Sequence, residues 1–277
     1  MNTSTPLLVA IQGDILILTL NRPSVLNAID AEMAVALQEQ LTSASQNPAI
    51  RAILITGSGL GFCSGGDLKF AVETNPKYPG DAFLALTAIL HDCVEQIRTM
   101  SKPVIAAING AAAGAGLFLA LACDLRIMVD SAYLKQSNTS HGLSLPVGGT
   151  FTLPRLIGMG RALEIVMLDE AIFAAQSLEL GLVTKVVPHQ QLQAEALALA
   201  ARVSQMPIEA LGRVKRLMNE AYHNTLTEQL LAERQQIAMS ANSPEGREGL
   251  AAFLQKRQPN YAAVKVSRSA LYHSIRV

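Results

Sequence analysis

The chain has 277 residues, 50% of them hydrophobic, with 22 basic and 22 acidic side chains and a formal net charge of zero. That balance excludes the basic footprint of a nucleic-acid binder and the polybasic patch of a membrane-surface protein. Only 16% of residues are charged, so much apolar surface must be hidden in a large core or between subunits.

The three cysteines, Cys63, Cys93 and Cys123, form no CxxC pair, and no His/Cys/Asp/Glu grouping has ligand spacing; no disulfide scaffold and no metal site are expected. Met1 to Pro6 carries no positive charge, and the apolar segment after it is broken by Gln12, Gly13 and Asp14. No signal peptide is expected, and the protein is read as cytoplasmic. Pro103–Cys123 is uncharged and long enough to span a bilayer, but Asn109, Gly110, Gly114 and Gly116 interrupt it. It reads as a buried strand–loop–helix.

Leu7–Ile11 and Ile15–Leu20 flank a turn at Gly13 and predict a β-hairpin. Asp30 is a natural N-cap for a helix to Ser45, with Met33, Leu37 and Leu41 on one stripe. Arg51–Thr56 is a short apolar run suited to a strand buried on both faces. A helix over Asp81–Met100 follows, carrying Phe83, Leu86, Leu90, Val94 and Ile97 at helical spacing. Val104–Ile108 and Leu125–Val129 predict strands on either side of a small-residue helix, Gly114–Ala122. The alternation implies right-handed crossovers and a largely parallel sheet. Beyond Arg155 the pattern turns helical, at Gly158–Leu168, Ala175–Leu180, Gln190–Ser204, Ile208–Tyr222, Thr227–Ser240 and Pro244–Lys256, with one short strand at Val183–Val187.

Two glycine-rich turns follow buried strands. In the stretch Gly57–Asp67, a phosphate-binding loop would need Lys and Ser/Thr after the last glycine, but Asp67 and Leu68 follow Gly66. A dinucleotide fingerprint would need glycine at the position of Phe62. Gly114-Ala-Gly116 begins such a fingerprint, but its third small position is Leu119, leaving a nucleotide-dependent oxidoreductase little support. Two such turns at the carboxyl ends of parallel strands present backbone N–H groups, and if they converge they form an oxyanion hole for a thioester enolate.

With these segments the chain resembles the crotonase superfamily, the enoyl-CoA hydratase/isomerase family. The likeness runs from Val9 to Tyr261 through Leu20–Pro23, Leu26–Ala28, Gly61–Leu68, Lys102–Gly110, Gly114–Gly116, Cys123-Asp124, Gly148–Arg155, Ala175–Val183 and Ala252–Arg257. The resemblance implies an α/β, crotonase-like spiral of ββα units (residues 1–200) and a helical C-terminal trimerisation region (201–260); the polar chain after Gln258 is itself read as leading into a mobile tail (261–277). It implies a homotrimer or a dimer of trimers, and a coenzyme A thioester as substrate with no separate cofactor. Nucleic acid and membrane are not expected as partners.

By the same resemblance the oxyanion donors are Gly66 and Ala115. CoA contacts fall to Ser24, Leu26, Ala28, Ser64 and the stretch Gly66, Asp67, Leu68 and Lys69, while Phe253 and Lys256 reach the CoA of a neighbouring subunit. Asp67 by itself reads as the N-cap of a short helix. The family's two hydratase glutamates correspond to Phe118 and Asn138, and the aspartate of some isomerases to Pro146. None of the three replacements transfers protons. His141, one helical turn after Asn138, is the candidate acid or base, since an imidazole titrates near neutral pH. His91 reads as a residue of a polar helix face; Ser137, Ser144 and Tyr133 could position a substrate oxygen but are poor bases. Ala111, Ala112, Ala113, Leu117 and Phe118 are expected to line an apolar acyl cavity. The expected function is an acyl-CoA enzyme that stabilises an enolate, isomerase-like rather than a two-glutamate hydratase. The alternatives are a hydratase with a non-standard acid or base, or a degraded acyl-CoA-binding scaffold subunit.

Overall fold

The computed structural model describes residues 5–264. The predicted hairpin is β1 (Leu7–Gln12) with β2 (Ile15–Leu20), followed by α1 (Ala31–Gln46), β3 (Ala52–Gly57) and a three-residue strand, β4 (Gly61–Cys63). Next come α2 (Leu68–Thr74), α3 (Pro79–Thr99), β5 (Val104–Ile108), β6 (Ala111–Ala113) and α4 (Ala115–Ala122). After β7 (Leu125–Val129) and β8 (Tyr133–Lys135) lie α5 (Gly149–Ile157), α6 (Met159–Leu168), β9 (Ile172–Phe173), α7 (Ala174–Glu179) and β10 (Lys185–Val187). The chain then continues through α8 (Leu192–Ser204), α9 (Ile208–Glu220), α10 (Leu226–Asn242) and α11 (Pro244–Leu254).

One sheet has the order β1-β2-β3-β5-β7-β10, parallel throughout after the opening hairpin. The other has the order β4-β6-β8-β9, parallel except for β9. The chain therefore repeats one path three times: a strand in the first sheet, a short strand in the second, then a helix. This is the expected spiral of ββα turns, and it decides where the loops meet. Because β4, β6 and β8 are neighbours, the segments leaving their carboxyl ends are neighbours too.

The Asp30 side chain accepts from Met33 N–H at 2.9 Å and starts α1, whose Met33, Leu37 and Leu41 are fully buried. Helix α8 lies across β3, β5 and β7 on the first sheet. Arg51, at the start of β3, donates to Ser204 O (2.7 Å) and Met206 O (2.9 Å) and so joins the sheet to the turn before α9. Glu245 of α11 accepts from the Glu209 (2.8 Å) and Ile208 (3.2 Å) amides, closing the first turn of α9 from outside. Burial raises the pKa of this carboxyl, and the same amides and Arg51 oppose that shift.

The first residues of the stretch expected to be a mobile tail are ordered. Tyr261–Ala263 form a 3-10 turn because Glu248 receives Asn260 N–H (2.8 Å) together with the Arg257 guanidinium (2.6 and 2.9 Å). The remainder of that tail, from residue 265, lies outside the described residues. Pro103–Cys123 is divided among β5, β6 and α4, and no helix among the described residues is long and apolar enough to cross a membrane.

Candidate active site

The three loops that follow β4, β6 and β8 hold the residues expected to form the site. After β4 the chain bridges to Ile29: Gly65 O accepts from Ile29 N–H (2.8 Å), and Asp67 N–H donates to Ile29 O (2.9 Å). Alternation along an extended segment therefore turns Gly66 N–H to the opposite edge. After β6 the left-handed turn falls on Gly114 (φ 50°), so Ala115 keeps a negative φ as the first residue of α4. A first-turn N–H has no intrahelical acceptor. Among the described residues neither Gly66 N–H nor Ala115 N–H has a protein partner.

The two loops touch. A Cβ on Gly65 (φ 111°) would lie 3.1 Å from Ala113 O and 3.4 Å from Ala115 N. Position 65 thus needs glycine both for its backbone conformation and for the approach. Sequence spacing could not supply this convergence.

The third loop, after β8, brings Asn138 and His141 to the same place. Gln136 Oε1 accepts from Asn138 N–H (3.0 Å) and Thr139 N–H (3.3 Å), which curls the segment into a 3-10 turn ending at His141. Nδ1 of His141 is hydrogen-bonded to Ser137 O. A carbonyl oxygen only accepts, so Nδ1 carries the proton and Nε2 is the basic nitrogen. Asn138 Oδ1 is buried without a hydrogen-bond partner.

Over these loops lies a cavity of about 480 Å³. Its floor is formed by Ser64, Gly65, Gly66, Gly114 and Ala115, and one wall by Ser137, Asn138, His141 and the stretch Leu143–Pro146. The opposite wall is the inward face of α3, with Phe83, Leu84, Leu86, Thr87, Leu90 and His91, together with Leu68 and Gly80. No Asp, Glu, Lys or Arg lines it; His91 and His141 are its two imidazoles. His91 Nε2 accepts from Val147 N–H at 3.2 Å, and Val147 is a buried β-branched residue in the left-handed region (φ 57°).

Of the residues read from the sequence, Ser64, Gly66, Leu68, Ala115, Asn138 and His141 share this cavity. Ser24, Leu26 and Ala28 lie in the turn beside its rim, tied to it by Ser64 Oγ–H donating to Val25 O (3.0 Å) and Ser64 N–H donating to Leu26 O (2.9 Å). Asp67 caps α2 by accepting from Phe70 N–H (3.1 Å) and also pairs with Arg22 at 3.0 Å. Lys69 is exposed beside Glu73, and Phe253 and Lys256 are exposed at the end of α11. Ser137 and Ser144 are on the wall, whereas Tyr133 packs near Phe173.

The expected acyl wall is corrected. Phe118 is fully buried between α4 and α5, its ring so close that a Cβ on Gly149 would fall 2.7 Å away. Neither it nor Ala111, Ala112, Ala113 or Leu117 lines the cavity. The apolar wall comes from α3, and His91, exposed on that helix as expected of a polar face, also borders the cavity. Cys63, Cys93 and Cys123 are buried free thiols pushed up to about 12, chiefly by desolvation, so they are not poised as nucleophiles. Among the described residues no group of three or more His, Cys, Asp or Glu is placed to hold a metal ion.

The family model described as enoyl-CoA hydratase/isomerase matches residues 10–264. The chain belongs to the enoyl-CoA hydratase/isomerase family. It is 37% identical over 252 residues to the 1,2-epoxyphenylacetyl-CoA isomerase of Escherichia coli K12, covering 91% of this chain and 96% of the relative. It is 32% identical to the crotonyl-CoA hydratase of Syntrophomonas wolfei, over 88% of this chain and 93% of that one. The solved structure of an enoyl-CoA hydratase from Polaromonas sp. JS666 superposes with a TM-score of 0.86 at 40% identity, covering 91% of this chain and 98% of that one. Relatives of both reaction types thus surround this family member.

Proposed function

We propose that the protein turns over an acyl-CoA thioester through an enolate held by Gly66 N–H and Ala115 N–H, with His141 moving the proton, in an isomerase-type reaction. The carbonyl oxygen of the thioester accepts both N–H groups, so removal of the α-proton places negative charge where two fixed dipoles already point. Nε2 of His141 takes that proton and returns it to a different carbon of the same acyl group; no water is consumed or released. Asn138 offers an amide to the substrate where a hydratase of the family would place a carboxylate. CoA itself lies along Ser24, Leu26, Ala28, Ser64 and Asp67–Lys69.

The observation that carries this reading is the lining of the cavity: two unpartnered backbone N–H groups, two imidazoles and no carboxylate. Two-carboxylate hydration requires two carboxyl groups flanking one water, and no carboxyl group lines the cavity. A panel of saturated, 2-enoyl, 3-enoyl and aryl-acetyl CoA thioesters in D₂O, followed by mass spectrometry, tests it. Deuterium entry or double-bond migration without water addition is the expected result. Water addition to the 2-enoyl thioester would replace the isomerase reading by a hydratase with a non-standard acid and base. Binding without any exchange would favour a non-catalytic acyl-CoA-binding subunit.

The expected homotrimer, or dimer of trimers, has support in the C-terminal helices. Leu226, Leu230 and Ile237 of α10 and Leu250, Phe253 and Leu254 of α11 are exposed in the single chain. Apolar surface of that kind is normally covered by a partner, and the same assembly would bring Phe253 and Lys256 to a neighbour's CoA. Sedimentation at micromolar concentration should show no monomer.

A further inference from the structure

We infer that Asp169 is a positioning residue that sets the tautomer and direction of His141 through the backbone of Ser137; this rests on the proposed role of His141 as the base. Asp169 ends α6 in the left-handed region (φ 50°) and is 9% exposed. Its Oδ1 accepts Ser137 N–H at 2.7 Å. Ser137 is itself left-handed (φ 56°), and its carbonyl oxygen is the acceptor for His141 Nδ1. Two non-glycine residues in a costly backbone region are thus joined by one short, charge-assisted hydrogen bond, and the next bond in the series ends on the imidazole. Asp169 Oδ2 is buried with no hydrogen-bond partner, a cost that calls for an explanation beyond local packing.

The same end of α6 holds the loop at a second point. Thr139 Oγ donates to Val166 O at 2.9 Å, and Gln136 Nε2 donates to the same oxygen at 3.3 Å. These bonds fix the path of the loop but do not touch Ser137. Ser140 Oγ donates to Ser137 O at 3.2 Å, but the bond from Asp169 is the one on Ser137 N–H, where it opposes rotation out of the left-handed conformation and so aims the carbonyl at the ring. With Nδ1–H committed to that carbonyl, Nε2 is left unprotonated in the neutral ring.

The test uses Asp169→Gly and Asp169→Asn in the full chain. Glycine accepts φ 50° without strain, so Asp169→Gly removes the carboxylate while sparing the backbone; asparagine keeps an acceptor oxygen for Ser137 N–H. Nitrogen-15 NMR of labelled histidines, with the His141 signal assigned from His141→Gln, reads the tautomer directly. The wild type and Asp169→Asn should show the Nδ1–H form, and Asp169→Gly a mixture. Asp169→Gly should also lower kcat about tenfold with KM within about twofold, and Asp169→Asn should restore it. An unchanged tautomer and kcat in folded Asp169→Gly would overturn the assignment, as would Asp169→Asn behaving like Asp169→Gly. Retained turnover in His141→Gln would instead remove His141 as the base while leaving the tautomer result to decide on Asp169.

Discussion

Gly116 and Cys63 stand in direct contact: a Cβ on Gly116 would fall 2.4 Å from the Cys63 carbonyl oxygen and 2.6 Å from its sulfur. This contact seats α4 on β4, and with it the Ala115 N–H beside the loop that carries Gly66. Gly116→Ala should therefore cost about 1–3 kcal/mol of stability by overpacking. It should also lower kcat, because the helix can make room only by carrying Ala115 away from Gly66. Chemical denaturation together with turnover of the best panel substrate checks both; a folded, fully active Gly116→Ala protein would separate the contact from catalysis.

His91 holds the other wall. Replacing it by leucine removes the acceptor of Val147 N–H, an amide buried beneath the cavity at a strained φ of 57°. Leaving a buried donor unmade costs about 1–3 kcal/mol. His91→Leu should lose that amount in urea unfolding, and His91→Gln, which keeps an acceptor oxygen, should lose less. Equal stabilities for all three proteins would mean that Val147 N–H finds another partner.

Lys102 gives the fold a pH dependence with a definite sign. Its ammonium donates to the Ala44 and Asn47 carbonyls at the end of α1, and desolvation, assisted by Arg51, lowers its pKa from 10.5 to about 8. Between these values the unfolded chain holds a proton that the folded chain has released, so stability rises with pH across the interval. Relative to Lys102→Met, the wild type should gain stability between pH 8 and pH 10 in urea titrations. A difference that stays flat, or falls, would contradict the lowered pKa.

The parts of the fold written in apolar periodicity were legible in the sequence. β5 and β7 occupy the residues expected for them, and α1 begins at the Asp30 cap, because a short apolar run, broken in β7 by Arg126 alone, and a cap followed by a stripe have few alternative readings. The second sheet was not legible. β4, β6 and β8 are three residues each, and Ala111–Ala113 offers neither alternation nor β-branched side chains. The acyl wall was misplaced for a related reason. All eight residues of α4 are apolar and buried, so no polar face shows which side meets the cavity, while the stripe of α3 serves core and cavity together. Three positions around the cavity were hidden more deeply. Ser137, Val147 and Asp169 adopt left-handed conformations that sequence reading assigns to glycine or asparagine. Family resemblance supplied Gly66 and Ala115, and the β4–β6–β8 order supplies the reason they meet.

If two backbone N–H groups hold the enolate oxygen, deleting one of them by Ala115→Pro should cripple the enolisation step. Proline is accommodated at the first position of a helix, so the substitution deletes the N–H of Ala115 and little else of α4. The measurement is the rate of deuterium entry at the α-carbon of the best acyl-CoA substrate, wild type against Ala115→Pro, with CoA-thioester affinity recorded alongside. Exchange should fall about 10²–10³-fold, with affinity nearly unchanged. Exchange at the wild-type rate in a folded Ala115→Pro protein would contradict the oxyanion assignment.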